Sequence, residues 1–341
     1  MPTALVAMSG GVDSSVAAYL AVKKGFSCIG CTMQLQEDSR TVQDAQAVCK
    51  ALGIPFYAFP LSHEFRENVV APFAAAYLRG ETPNPCIRCN KTMKFGLLAE
   101  EGKKMGCDRL VTGHYARITE ENGIFRLKKA LDESKDQSYF LYNLTQDHLA
   151  HILFPLGGFS KKETRELASA LHLPTAHKPE SQDICFIPDG DYAALVEACA
   201  GKPCPPGRFI DRSGRTLGRH RGIIHYTIGQ RRGLGVPSSE PLYVLDIRPE
   251  DNTVVLGGKM DLFQTEAFVK EVHWIAGAAP RQELRASAKI RYRHREEPCR
   301  ITVTGPDCAR LVFDAPQRAI TRGQSAVFYD GDSVLGGGIL L

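Results

Sequence analysis

VAMSGGVDSSVAAYL, residues 6–20, leaves an apolar run, crosses two glycines and becomes helical almost at once. A glycine pair directly after a strand lets the backbone turn sharply and aim consecutive N–H groups at an anion, while the next helix adds its positive N-terminal end. That geometry binds phosphate. Ser9, Ser14 and Ser15 add hydroxyl donors, and Asp13 at the helix start can cap free N–H groups or help position a metal ion. The chain contains no GxxxxGK[ST] sequence, and this stretch lacks the GxGxxG spacing of a dinucleotide site, so neither of those loops explains it.

Outward from the loop, the first 115 residues alternate strand-like and helix-like segments. TALVAM (3–8) is a continuous apolar strand, residues 13–24 have helical spacing that stops at Gly25, and FSCIGCTM (26–33) reads as a second strand. TVQDAQAVCKALG (41–53) is a helix, PFYAFPL (55–61) a third strand, and a longer helix covers about 62–79. ETPNPCIRCN (81–90) reads as a proline-broken loop, KTMKFGLLAEEGKKMG (91–106) as a helix, and DRLVTGH (108–114) as a strand ending in Gly-His. This is the pattern of an α/β fold with a doubly wound parallel sheet.

Near residue 200 helical periodicity gives way to PCPPG, frequent glycines and short strand-like runs: GIIHYTI, PLYVLDI, NTVVLGG, RITVTG, RLVFDA and SAVFYDG. Such runs separated by turn signals indicate small all-β units. Three domains are expected: a catalytic domain over 1–200, a small, mainly-β central domain over 201–263, and a C-terminal β-barrel over 264–341.

The sequence has no stretch approaching the ~18 apolar residues of a membrane span. Met1 runs straight into TALVAM without a basic region, an apolar core or a cleavage site, so a cytoplasmic protein is expected. The net charge is only +4, but it is unevenly placed. Residues 201–233 carry eight Lys/Arg against one acid, and 281–300 carry seven against three, which points to a phosphate-rich partner.

Eleven cysteines, an odd number unevenly scattered, do not suit a secreted disulfide framework. Cys28, Cys31, Cys49 and Cys107 fall in predicted strands and helices and read as buried packing residues. Cys86 and Cys89 precede a predicted helix and have Arg88, Lys91 and Lys94 nearby, a setting that lowers thiol pKa. Cys185, in PESQDICFIP, is a second candidate. No second CxxC or HxxxH completes a structural zinc site around the Cys86/Cys89 pair.

SGGVDS resembles the pyrophosphatase-type (PP-loop) signature of adenylating enzymes, whose fold is the adenine-nucleotide α-hydrolase type. With SGGVDSS, TPNPCIRCNKTMKFG, TGHYAR, KDQSYFLY, SQDICFI, TIGQRRGLG, IRYRH and GQSAVFYDGDSVLGGG in this order, the whole chain resembles the tRNA-specific 2-thiouridylase (MnmA) family. The resemblance implies thiolation of the wobble uridine in the anticodon stem-loop of tRNAs for Lys, Glu and Gln. It implies ATP as substrate, Mg²⁺ as its companion, and a cysteine desulfurase or sulfur-relay protein as partner. By position, Ala7, Met8, Ser9, Gly10, Gly11, Val12, Asp13, Ser14 and Met33 would hold ATP, with Gly113 closing the adenine side. Cys185 matches the cysteine that carries a persulfide, and Cys89 the one that releases its sulfur, with a Cys89–Cys185 disulfide as the product to be reduced. Asn84, Pro85 and Cys86 match the segment facing the target base. His114, Lys135, Asp136, Gln137, Arg291, Tyr292 and Gln324 match tRNA-contacting positions, with Tyr292 available to stack on a base.

The chain departs from the family pattern in two places. Cys86 stands where many members carry Asp, and Cys86, Cys89 and Cys185 together could instead ligate a [4Fe–4S] cluster with one iron open to sulfide. QLQEDSRTVQDA, after Met33, is shorter than the corresponding segment of relatives. Two other functions fit parts of the sequence. An adenylating synthetase for a small molecule would need neither the cysteine pair nor the basic β domains. A non-catalytic tRNA-binding protein would not need intact Gly10, Gly11, Asp13 and Ser14.

Overall fold

In the computed structural model residues 1–35, 40–179, 184–187 and 190–341 are described. Ser181, Gln182 and Asp183 of the SQDICFI motif, and residues 36–39 of the short segment after Met33, lie outside the described residues. A five-stranded parallel sheet in the order β3-β2-β1-β4-β7 forms the first layer system. Its strands are β1 (Thr3–Ala7), β2 (Ser27–Gln34), β3 (Phe56–Pro60), β4 (Arg109–Val111) and β7 (Ile152–Leu153). Helices cover both faces, so β1 is apolar on both sides. Ala4 and Val6 pack with Val16 and Ala17 of α1 (Val12–Lys23) and Val48 of α2 (Arg40–Leu52), while Leu5 packs with Phe95 and Leu98 on the other face. The glycine loop follows β1 at its C-terminal end, where open parallel sheets bind ligands.

The helix expected over about 62–79 runs from 62 to 78, with a π-helical stretch at Arg66–Val70. The segment read as a proline-broken loop proves to be helical from Pro85 onward, and one continuous helix spans 85–104 with a π-helical stretch at Asn90–Leu97. The reason is local. Asn84 Oδ1 accepts from the backbone N–H of Cys86 at 3.1 Å, and Pro85 occupies the first helical position, where its missing N–H costs nothing.

From residue 201 on the chain is all-β apart from short 3-10 turns. A four-stranded sheet in the order β10-β11-β8-β9 uses β8 (Gly207–Ile210), β9 (Thr216–His220), β10 (Tyr243–Arg248) and β11 (Thr253–Gly257). Its core residues Phe209, Ile224, Val244 and Val254 pack with Phe73 and Tyr77 of the 62–78 helix. GIIHYTI, read as a strand, instead holds a 3-10 turn at Ile223–His225, entered through Gly222 at φ 129. Six antiparallel strands then close into a barrel: β12 (Phe263–Trp274), β15 (Cys308–Arg318), β14 (Glu297–Gly305), β13 (Glu283–Lys289), β16 (Ser325–Asp330) and β17 (Ser333–Leu340), with β12–β17 pairing sealing the ring.

A hairpin the sequence reading missed links the two halves. β5 (Ala116–Glu121) and β6 (Ile124–Lys129), joined by Asn122 and Gly123 at φ 55 and 76, extend the barrel sheet through Lys128 pairing with Ser333. Lys129 pairs with Glu296 at 2.7 Å, and Arg117 with Asp332 at 3.0 Å.

Candidate nucleotide and sulfur-transfer site

At the phosphate loop Gly10 sits at φ +67, and a Cβ there would lie 3.0 Å from Asp44 Cβ and 3.1 Å from the Thr41 carbonyl. Only glycine meets both demands at low cost. The hydroxyls brace the turn from inside: Ser14 Oγ donates to the Gly11 carbonyl at 3.1 Å and accepts from Ser9 N at 3.1 Å, and Ser15 Oγ donates to the same carbonyl at 2.8 Å. Asp13 does not cap the helix. Its carboxylate takes Lys161 Nζ at 2.6 and 2.8 Å and the Tyr115 hydroxyl at 2.9 Å, which neutralises a group expected to cap or to aid a metal ion. Gly113 lies against the loop so closely that a Cβ would stand 2.7 Å from Ser14 N. The strand end carrying Gly113 can approach the start of α1 only without a side chain. Ala7 is half-buried at the end of β1, and Met8 and Val12 are buried beside it.

Met33 borders an apolar cluster of Phe65, Val69 and Met93 that also touches Cys89 and Phe186. Met33 and Cys89 thus border the same apolar wall. Cys86 and Cys185 are exposed, and Cys89 is half-buried. Burial pushes the Cys89 thiol up to about 11 against the pull of Lys94, with Cys185 and Cys86 adding to the rise. Cys86 and Cys185 are also raised, by burial first, and Lys94 acts downward on both. The expected low-pKa thiolate is thus corrected: desolvation outweighs the helix start and the cation.

Of the three cations near the pair in sequence, Lys94 is the one that acts on all three thiols; Arg88 Nε is turned away to the Asn68 carbonyl. The π-helical stretch explains the choice, since an i→i+5 repeat brings residue 94 one turn from Cys89. Among the described residues no three His, Cys, Asp or Glu side chains are arranged to hold a metal ion. Cys86, Cys89 and Cys185 lie close enough for their thiols to act on one another. Cys28, Cys31 and Cys49 are buried with raised pKa, as inert packing thiols should be, whereas Cys107 is half-buried and outside any strand or helix.

The residues expected to contact tRNA also take part in the internal bonding of the fold. His114 is 8% exposed among Phe95 and Phe154, shares a 2.7 Å hydrogen bond with Thr112 Oγ1, and is held neutral by burial and Lys94. Asp136 is 7% exposed and accepts from Ala130 N, Ser138 N and Ser138 Oγ. Gln137 Oε1 accepts from Tyr115 N at 2.9 Å, while Lys135 is half-buried one turn earlier. Arg291 donates through Nη2 to the Ile228 and Ala319 carbonyls at 3.0 Å, stapling the central domain to the barrel. Tyr292 packs on Phe140 with ring centroids 4.3 Å apart, so one face is already covered. Gln324 Nε2 donates to the Thr82 carbonyl at 2.6 Å, and Thr82 N donates to the Arg322 carbonyl at 2.8 Å. The barrel thereby supports the loop leading to Asn84, Pro85 and Cys86. His114, Asp136, Gln137, Arg291 and Gln324 thus each make internal hydrogen bonds that also serve the fold.

A hollow of about 220 Å³ lined by Cys107, Asp108, Lys103 and His151 opens at the N-terminal end of β4, away from the glycine loop, and takes no part in this chemistry. Among the described residues no helix is long and apolar enough to cross a membrane.

Residues 2–189 match the family model described as tRNA methyl transferase HUP domain, 198–258 the one described as tRNA methyl transferase PRC-barrel domain, and 264–340 the one described as Aminomethyltransferase beta-barrel domain. A protein of Clostridioides difficile (strain 630) named tRNA-specific 2-thiouridylase MnmA is 46% identical over 350 residues, covering 98% of this chain and 97% of its own. One from Thermoanaerobacter sp. (strain X514), named tRNA-specific 2-thiouridylase MnmA 2, is 48% identical over 98% of this chain and 96% of its own. One from Lachnoclostridium phytofermentans, with the first of these names, is 45% identical over 100% of both. With relatives this similar along their full length, and with the loop, the cysteines and the barrel in place, the chain belongs to the tRNA-specific 2-thiouridylase family.

Proposed function

We propose that the chain is a tRNA-uridine 2-sulfurtransferase that uses ATP to activate O2 of the wobble uridine and then replaces that oxygen with sulfur. Uridine O2 attacks the α-phosphate, pyrophosphate leaves, and the oxygen becomes an adenylate leaving group held over the loop of Gly10, Gly11 and Ser14. The terminal sulfur of a Cys185 persulfide attacks C2 and AMP departs. The Cys89 thiolate then attacks the Cys185 sulfur, which breaks the S–S bond to the base, releases 2-thiouridine and leaves a Cys89–Cys185 disulfide for a cellular dithiol to reduce. The observation that carries this reading is the gathering of Cys86, Cys89 and Cys185 under one cation, Lys94, with Cys89 and Met33 bordering one apolar cluster.

Mg²⁺ supplies charge neutralisation on the phosphates. Asp13, beside the loop and paired with Lys161, is the carboxylate that would help position the ion. The tRNAs for Lys, Glu and Gln are the proposed substrates, bound through their anticodon stem-loops on the basic stretches 201–233 and 281–300. A cysteine desulfurase or sulfur-relay protein reloads Cys185, the enzyme works in the cytoplasm, and its units are 1–200, 201–263 and 264–341.

The test is anaerobic purification followed by iron and sulfide analysis and a thiolation assay with ATP and a desulfurase. An iron-free protein that thiolates tRNA and loses activity in Cys185→Ser supports the relay. About four irons per chain, lost together with activity in Cys86→Ala, would overturn it in favour of the [4Fe–4S] route. Pyrophosphate exchange that proceeds without tRNA would point to a small-molecule synthetase.

A further inference from the structure

Three side chains from residues 161–178 reach across to the phosphate loop. Lys161 pairs with Asp13, Thr175 Oγ1 donates to Ser15 Oγ at 2.8 Å, and Lys178 Nζ donates to the Gly10 carbonyl at 3.1 Å. The first two hold side chains of α1; Lys178 holds the backbone of the loop. Lys178 is itself anchored by an ion pair with Asp44 of α2, the residue whose Cβ abuts Gly10.

The consequence follows from peptide geometry. In a planar trans peptide the C=O and the following N–H point in opposite directions. A cation that fixes the Gly10 carbonyl on one side therefore turns the Gly11 N–H to the other. Gly11 is the N-cap of α1, and the N–H groups of a helix's first turn have no intrahelical acceptor, so that side is the anion-binding side. Two adjacent glycines have the widest backbone freedom of any pair, and without an external restraint their shared peptide would sample the wrong orientation as readily as the right one.

We propose that Lys178, anchored by Asp44, is a positioning residue that fixes the Gly10–Gly11 peptide with its N–H facing the nucleotide's phosphates. The inference rests on ATP use at this site. It gives a task to a lysine that lies in none of the motifs supporting the family resemblance.

Calorimetric titration of the full chain, without tRNA, with Mg·ATP and separately with adenosine tests it. Lys178→Met should weaken ATP binding about tenfold or more while adenosine affinity stays within about twofold, because only the phosphate cradle is disturbed. Lys178→Arg should recover most of the loss, and Asp44→Asn should fall between the two. Unchanged ATP affinity in Lys178→Met, or equal loss of ATP and adenosine, would overturn the proposal. If Lys178→Met fails to fold by circular dichroism, Asp44→Asn and Lys178→Arg decide it by the same ATP-to-adenosine ratio. A wild type that binds no ATP would defeat the proposed function and this inference with it, whereas a binding wild type beside an unaffected Lys178→Met defeats the inference alone.

Discussion

The phosphate loop and the cysteine cluster are built to opposite rules. Around the loop polar groups are held in pairs: the Ser14 and Ser15 hydroxyls with the Gly11 carbonyl, Asp13 with Lys161 and Tyr115, and the Gly10 carbonyl with Lys178. Around the cysteines the thiols are pushed toward their protonated form, and one lysine opposes the effect. Charge stabilisation during phosphoryl chemistry gains most from donors fixed in advance, since no reorganisation is then needed as charge develops. A persulfide carrier gains from thiols that stay protonated, because a free thiolate would attack the loaded sulfur before the base is activated. Preorganisation suits the first step and restraint the second.

The largest effect should separate the two regions cleanly. Cys185→Ser and Cys89→Ser should each lower thiolation about a hundredfold or more while leaving ATP affinity unchanged, measured on the same preparations. A loss of ATP binding in either variant would mean the wall does not insulate the two chemistries. Next is Gly113→Ala, whose Cβ would meet Ser14 N at 2.7 Å and the Asp13 carbonyl carbon at 2.8 Å. Backbone must move there, so a stability loss of about 1–3 kcal/mol and weaker ATP binding are expected by urea titration and calorimetry.

A pH experiment sharpens the contrast. With the Cys89 pKa at about 11, alkylation of Cys89 by iodoacetamide should keep accelerating with pH well beyond 9, and Lys94→Gln should slow it a few-fold at fixed pH. An alkylation profile that levels off near pH 7 would break the account of restraint. The same shift has a stability sign. The folded protein holds the proton where the unfolded chain, at about 8.5, has lost it, so the contribution is complete below that value and declines as pH rises toward 11. The urea midpoint should fall across that window, and buried Cys28 and Cys49, also near 11, act in the same direction. The smallest effect is Asn84→Ala, which removes the cap of the 85–104 helix at a cost of about 1 kcal/mol; Asn84→Asp should restore it.

Much of this contrast was legible in residue order, and where it was not the physical reason is specific. The strand–glycine–helix transition at 6–20 and the alternation after it lead directly to the parallel sheet, because local pattern determines both. NPCIRCN was misread because proline was weighed as a breaker, although Asn-Pro is equally an N-cap followed by a first helical residue. The 116–129 hairpin carried its own signal in Asn122-Gly123, but no local pattern says that it pairs with a strand made two hundred residues later. Polar motif residues give a chemistry without a direction. Asp136 and Gln324 are expected as contacts for a substrate, and only the folded chain shows the internal hydrogen bonds they make. Lys178 gave no signal, since its partners Gly10 and Asp44 lie far away in sequence.

The hairpin that joins the barrel sheet bears on how the chain is made. During synthesis β5 and β6 leave the ribosome early, and the β6 edge waits for β17, among the last segments to emerge. Until then it presents unpaired backbone groups, the kind of edge that recruits other chains and factors that bind nascent proteins. A chain broken off before Ser333 would keep its nucleotide loop and its cysteines yet leave that edge open.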